Sequence, residues 1–166
     1  MIIVVLGLPG TGKSYFAEKL SDRIGAVHLN SDRLRNALHA QGKYTLDDKL
    51  HIYRVMAEKT DQVLGQGKPV IVDATFYKHE MIDLFMTLAK DHESPIRIIK
   101  VEADEAQVQE RLQKHRTDSE ADFPVYLKIK DEFDELHVPH LVLRSAADNV
   151  HTMIDSALFY INDQHE

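Results

Sequence analysis

Short apolar runs alternate along the chain with longer stretches in which apolar residues return every three or four positions. The first run, Ile2–Leu6, is uninterrupted and β-branched, the pattern of a buried strand. After a glycine-rich stretch, Phe16, Leu20 and Ile24 recur at four-residue spacing and predict a helix that stops at Gly25. A brief strand is predicted over 26–29 and a short helix over 32–40. Thr45, with Asp48 three positions on, predicts a capped helix start; Ile52, Met56 and Val63 mark that helix's buried face, and Gly65, Gly67 and Pro69 end it. Further strands are predicted over 70–72, over 96–101 behind Pro95, and over 141–143. Between them lie helices over 78–90, from a capping box of Asp104 and Gln107 to about 115, and over 123–136. The polar segment 116–122 reads as a loop, and a last amphipathic helix covers 147–161.

Strand and helix patterns in alternation predict an α/β fold: a five-stranded parallel sheet in three layers, with helices on both faces and ligands bound at the carboxyl ends of the strands. No repeat, low-complexity tract or linker interrupts the 166 residues, so one domain over 1–166 is expected. Hydrophobic residues are 43% and charged residues 28%, an ordinary globular composition. The absence of cysteine excludes disulfides and cysteine-based zinc sites. No apolar run is long enough for a membrane span. The N-terminal run lacks a basic leader and leads straight into the glycines, so it reads as a strand and not a signal peptide, and a cytoplasmic location is expected. The formal net charge of −7, without any cluster of five or more Lys and Arg, leaves nucleic acid a possible but not a favoured partner. Oligomeric state is not legible.

The segment Gly7-Leu8-Pro9-Gly10-Thr11-Gly12-Lys13-Ser14 matches G-x-x-x-x-G-K-S/T at every fixed position. A chance match in a chain of this length is on the order of 1 in 200 from residue abundances, and the motif lies between an apolar strand and a helix, as its chemistry requires. Glycines let backbone amides approach phosphate, the helix N-terminus favours an anion, the lysine adds a charge at the β/γ-phosphates, and the serine hydroxyl suits Mg²⁺. Gly7, Pro9, Gly10, Thr11, Gly12, Lys13, Ser14 and Tyr15 are therefore expected to surround a nucleoside triphosphate, with ATP the default because no guanine-reading N-K-x-D is present.

Three further clusters fall at predicted strand ends. Asp73 follows Val70-Ile71-Val72 and suits the magnesium. The next residues, Ala74 and Thr75, include no water-activating glutamate, which favours transfer over hydrolysis. Asp32 in Asn30-Ser31-Asp32-Arg33-Leu34-Arg35 can orient an acceptor hydroxyl and take its proton, and Arg35 lies one turn on, suited to an anionic group. Ser31 or Asp32 can equally be a helix cap, with the arginines as solvated charges. Arg111, Lys114 and Arg116 enter the polar loop and suit a lid, about 111–125, that closes on the γ-phosphate; cations at a helix C-terminus are the plainer reading. His137 and His140 flank Pro139 and read as surface residues.

With these residues in place, the chain resembles the P-loop kinase-like domains grouped with phage polynucleotide kinase, zeta toxins, gluconate kinases and adenylylsulfate kinases. It is most similar to ATP-binding domains that occur alone or fused to aminoglycoside-phosphotransferase-like domains, through Val72-Asp73-Ala74-Thr75-Phe76 and Arg116-x-Asp118-Ser119-Glu120-Ala121-Asp122. The resemblance implies a three-layer P-loop NTPase fold with a small helical lid. It also implies a kinase that uses Mg²⁺ and ATP to phosphorylate a hydroxyl acceptor; the acidic charge balance favours a small molecule as that acceptor. In that family pattern Lys13, Asp32, Arg116 and Arg111 are catalytic, Asp32, Arg35 and Thr75 bind substrate, and Ser14 and Asp73 hold the metal. The alternatives are a polynucleotide 5′-kinase and a non-catalytic ATP-binding switch module.

Overall fold

The computed structural model describes residues 1–114 and 121–163. Five parallel strands, β1 (Ile2–Leu6), β2 (Val27–Asn30), β3 (Val70–Ala74), β4 (Ile96–Glu102) and β5 (Leu141–Arg144), form one sheet in the order β2-β3-β1-β4-β5. The helices are α1 (Lys13–Ile24), α2 (Ser31–Ala37), α3 (Leu46–Gly65), α4 (His79–Asp91), α5 (Glu105–Gln113), α6 (Phe123–Glu132) and α7 (Val150–Asn162). The strand pleat sorts the core into two layers. Ile2, Val4 and Leu6 face Ile52 and Met56 of α3 and Phe85 of α4, whereas Ile3 and Val5 face Phe16 and Leu20 of α1 and Met153 and Ala157 of α7. The three-layer α/β arrangement read from the alternation is the observed one.

Thr45 and Asp48 form the expected capping box, and Gly25 ends α1 in the left-handed region at φ 66°. Tyr53 and Thr60 join Ile52 and Met56 on the buried face of α3, while Val63 is only half-buried.

Four local expectations change. β3 runs two residues further than its apolar core, so Asp73 lies inside the strand and is fully buried. The Asp104–Gln107 box does not form: the Asp104 carboxylate accepts from Arg144 Nη1 at 2.8 Å, and Gln107 Oε1 is buried without a partner among the described residues. α6 stops at Glu132 and not near 136, because Asp134 is tied to the start of α4 and Phe133, Leu136 and Val138 pack on the sheet. α7 begins at Val150, since Asn149 closes the preceding turn by accepting from Ala146 N and donating to Arg144 O.

Candidate active site

The loop of residues 7–12 leaves the carboxyl end of β1 and enters α1 at Lys13. Gly12 sits at φ 86° as the N-terminal cap residue, a conformation that strains any residue with a Cβ. At Gly7 the constraint is space: a Cβ there would collide with the Val101 carbonyl of β4. Three carbonyls of the loop are fastened to the protein. Thr11 Oγ1 donates to Leu8 O at 2.8 Å, Arg111 Nη1 donates to Gly10 O at 3.2 Å, and Ser145 Oγ donates to Thr11 O. Arg111 Nη1 also reaches Ser145 Oγ at 3.1 Å. Arg111 thus lies against the phosphate loop from α5. Arg116 lies outside the described residues, and so does most of the polar segment expected to form the lid. Tyr15 is largely exposed, with Lys19 Nζ 5.6 Å from its ring centre.

Asn30, at the end of β2, joins Ser14 to Asp73. Its Nδ2 donates to Ser14 Oγ at 3.1 Å and to Asp73 Oδ2 at 2.7 Å, while its Oδ1 caps α2 by accepting from Arg33 N at 2.9 Å. His28 Nε2 lies 3.0 Å from the same Asp73 oxygen. Burial pushes the Asp73 carboxyl upward, but the His28 hydrogen bond, the charge of Lys13 and the Asn30 hydrogen bond outweigh it and hold the group below its ordinary value. Asp73 Oδ1 is buried and has no partner among the described residues. A serine hydroxyl and an ionised carboxylate with an oxygen to spare are the hard oxygen donors that Mg²⁺ takes, usually with water and phosphate completing its shell. The residues present therefore fit that ion. His28 and Asn30 carried no signal of this role in the sequence; their place depends on the register that sets Asn30 beside Asp73.

A cavity of about 540 Å³ joins the phosphate loop to the start of α2 and to α3 and α6. Pro9, Gly10, Gly12, Lys13 and Ser14 line it together with Asp32, Arg35 and Thr75, so it brings the expected nucleotide and acceptor residues to one space. Arg35 is buried; its Nη1 donates to Asp32 Oδ1 at 3.1 Å, and its guanidinium stacks on Tyr44 at 4.9 Å from the ring centre. Thr75 is half-buried at the end of β3, just before Phe76, which turns the chain at φ 51°. That turn is held by Phe76 N donating to Tyr53 Oη at 2.8 Å and by edge-to-face packing of Phe76 on Tyr53 and Phe85. His137 and His140 are remote from this network: His140 Nδ1 lies 2.8 Å from Val138 O. No cluster of three or more His, Asp or Glu suited to a metal exists among the described residues.

The fold is shared with known proteins. A gluconokinase from Sinorhizobium meliloti superposes with a TM-score of 0.72 at 19% identity, covering 96% of this chain and 90% of that one. An APS kinase from Mycobacterium tuberculosis, solved with AMPPNP and APS, superposes with a TM-score of 0.75 at 16% identity, covering 98% and 97%. At such identities the likeness is one of fold. An uncharacterized protein of Mycobacterium bovis is 32% identical over 107 residues, which cover 57% of this chain and 22% of that protein. The AAA domain family model matches residues 2–136, most of the chain. The chain belongs to this AAA domain family and has the fold of the P-loop kinases.

Proposed function

We propose that the chain acts as one domain over 1–166 that transfers the γ-phosphoryl group of Mg·ATP to a hydroxyl of a small acceptor, in the cytoplasm. The observation that carries this reading is the shared cavity: Asp32 and Arg35 line the same space as Lys13 and Ser14. In this proposal Lys13 and the amides of residues 10–14 hold the phosphates. Ser14 and Asp73 would hold Mg²⁺, which supplies neutralisation of phosphate charge when bound. Asp32 orients the acceptor hydroxyl and takes its proton as the new P–O bond forms and the β–γ bridge bond breaks, and Arg35 and Thr75 grip the acceptor. Arg111 supports the loop through Gly10, and Arg116 acts from the lid. Such a site works by positioning and by charge more than by covalent chemistry.

The test is label transfer from γ-labelled ATP across a panel of hydroxyl compounds. Asp32→Asn is expected to lower transfer by roughly 100-fold or more, the usual size of a general-base contribution, while leaving ATP binding intact. Full transfer by that variant would remove Asp32 from the reaction.

A further inference from the structure

The cavity carries charge that the phosphoryl-transfer reading leaves unused. Its lining includes five basic side chains, those of Lys13, Arg33, Arg35, Lys49 and Lys128, against two acidic ones, Asp32 and Glu132. Arg33 pairs with Glu18 at 3.8 Å outside this lining, so among the described residues a local surplus of two positive charges sits in a chain whose net charge is −7. Lys13 belongs to the phosphate loop, but Lys49 comes from α3 and Lys128 from α6.

These two lysines lack the ion pairs that surface lysines usually find. Among the described residues, neither has a carboxylate within 4.0 Å. Lys49 Nζ instead donates to Tyr77 Oη at 3.3 Å and lies 4.8 Å from the centre of that ring. Burial pushes the Lys49 ammonium down; Glu132 opposes this, and Lys128 and Arg35 add to it by repulsion. Arg35 is 8% exposed and spends one nitrogen on Asp32, yet its Nε is a buried donor without an acceptor among the described residues. Like charges and an unanswered buried donor brought together in one cavity are unfavourable until an anion arrives.

We propose that the acceptor is itself an anion: a small hydroxylated compound whose phosphate or carboxylate group is bound by Arg35, Lys49 and Lys128 while its hydroxyl meets Asp32. This rests on the phosphotransferase reading above and adds the chemical class of the acceptor. The Tyr44 ring, 4.9 Å from the Arg35 guanidinium, and the Tyr77 ring, 4.8 Å from Lys49 Nζ, help to hold the two cations in the cavity.

The test uses three matched probes, a neutral hexose, its aldonate and its 6-phosphate, with the intact chain. Calorimetric binding in the presence of a non-hydrolysable ATP analogue is read beside label transfer from γ-labelled ATP. An anionic probe is expected to bind at least 10-fold more tightly than the hexose, and which one does so separates phosphate from carboxylate as the recognised group. Lys49→Met and Lys128→Met are each expected to weaken the anionic probe at least 5-fold, leaving the hexose and the ATP analogue unchanged. Equal binding of all three probes, or none, overturns the proposal. So does loss of ATP affinity in both variants, which would assign the lysines to the nucleotide. Preferred, steeply salt-dependent binding of a 5′-hydroxyl oligonucleotide over the hexose phosphate also overturns it, in favour of a polynucleotide. Lysine-dependent anion binding without label transfer to any probe would support the anionic site and count against the phosphotransferase reading alone.

Discussion

Asn30 ties together three parts of the molecule. Its carbonyl oxygen caps α2, and its amide nitrogen serves both Ser14 and Asp73. Asn30→Ala removes a helix cap worth about 1 kcal/mol and one of the donors to a buried carboxylate. We expect a loss of about 2–3 kcal/mol in urea unfolding, since a buried charge stripped of a hydrogen bond adds a desolvation cost of similar size. Asn30→Asp keeps the capping oxygen but turns an acceptor toward Asp73, so it should be at least as damaging. An Asn30→Asp variant as stable as the parent would show that the Asn30–Asp73 bond contributes nothing. At this scale the phosphate loop is legible in sequence because its chemistry demands glycines at fixed spacing. The partners of Asp73 are not, because His28 and Asn30 lie on β2 and meet Asp73 only through strand register. Ser145 is hidden for the same reason: it reaches Thr11 from the far side of the sheet.

Elements were legible where local signals agreed and misplaced where a distant contact decided. The end of α6 shows this. Its apolar pattern continues through Phe133 and Leu136, yet Asp134 leaves the helix to meet α4. Asp134 accepts from His79 N at 3.0 Å and from Lys78 Nζ at 3.2 Å, and its second contact with His79, through Nδ1, is 3.0 Å. The backbone and side-chain bonds from His79 lower the Asp134 carboxyl to about 2, and the Asp134 hydrogen bond raises the His79 imidazole above 6.5. A lowered carboxylate contributes stability above its unfolded value of 3.8 and loses it as pH falls toward 2. A raised histidine contributes fully below 6.5 and loses it as pH rises through its folded value. The His79–Asp134 pair is therefore expected to act between about pH 4 and 6.5. Comparing the melting temperature of His79→Ala with the parent from acid to alkaline pH checks this. The gap should be widest in that window and narrow on both sides, and a gap independent of pH would mean that no ion pair forms.

For the whole molecule, strand order explains why residues far apart in sequence share one site. β1 lies between β3 and β4, with β2 beyond β3. The carboxyl ends of β2, β3 and β1 therefore deliver Asn30 and Asp32, Asp73, and the phosphate loop side by side, and that edge is where a parallel sheet with crossover helices binds ligands. Alternation of strands and helices made the fold class legible, but neither the surplus of cations in the cavity nor the contribution of α3 and α6 to it can be seen without the folded chain. A site assembled from so many elements exists only in the folded state, so a ligand bound there must stabilise the whole fold. At 100 times its dissociation constant, Mg·ATP is expected to add about 2.7 kcal/mol, or roughly 5–10 °C in the melting temperature of a domain this size. On the proposed metal assignment the shift should shrink without Mg²⁺, because Ser14 and Asp73 would then have no ion to share with the phosphates, and should largely vanish in Lys13→Ala. Asp32→Asn and Lys49→Met should keep it, since the proposed reading assigns both side chains to the acceptor half of the cavity. Scanning calorimetry of these variants, with and without the metal, separates the two halves of the site, and loss of the shift in Asp32→Asn would place Asp32 on the nucleotide and not on the acceptor.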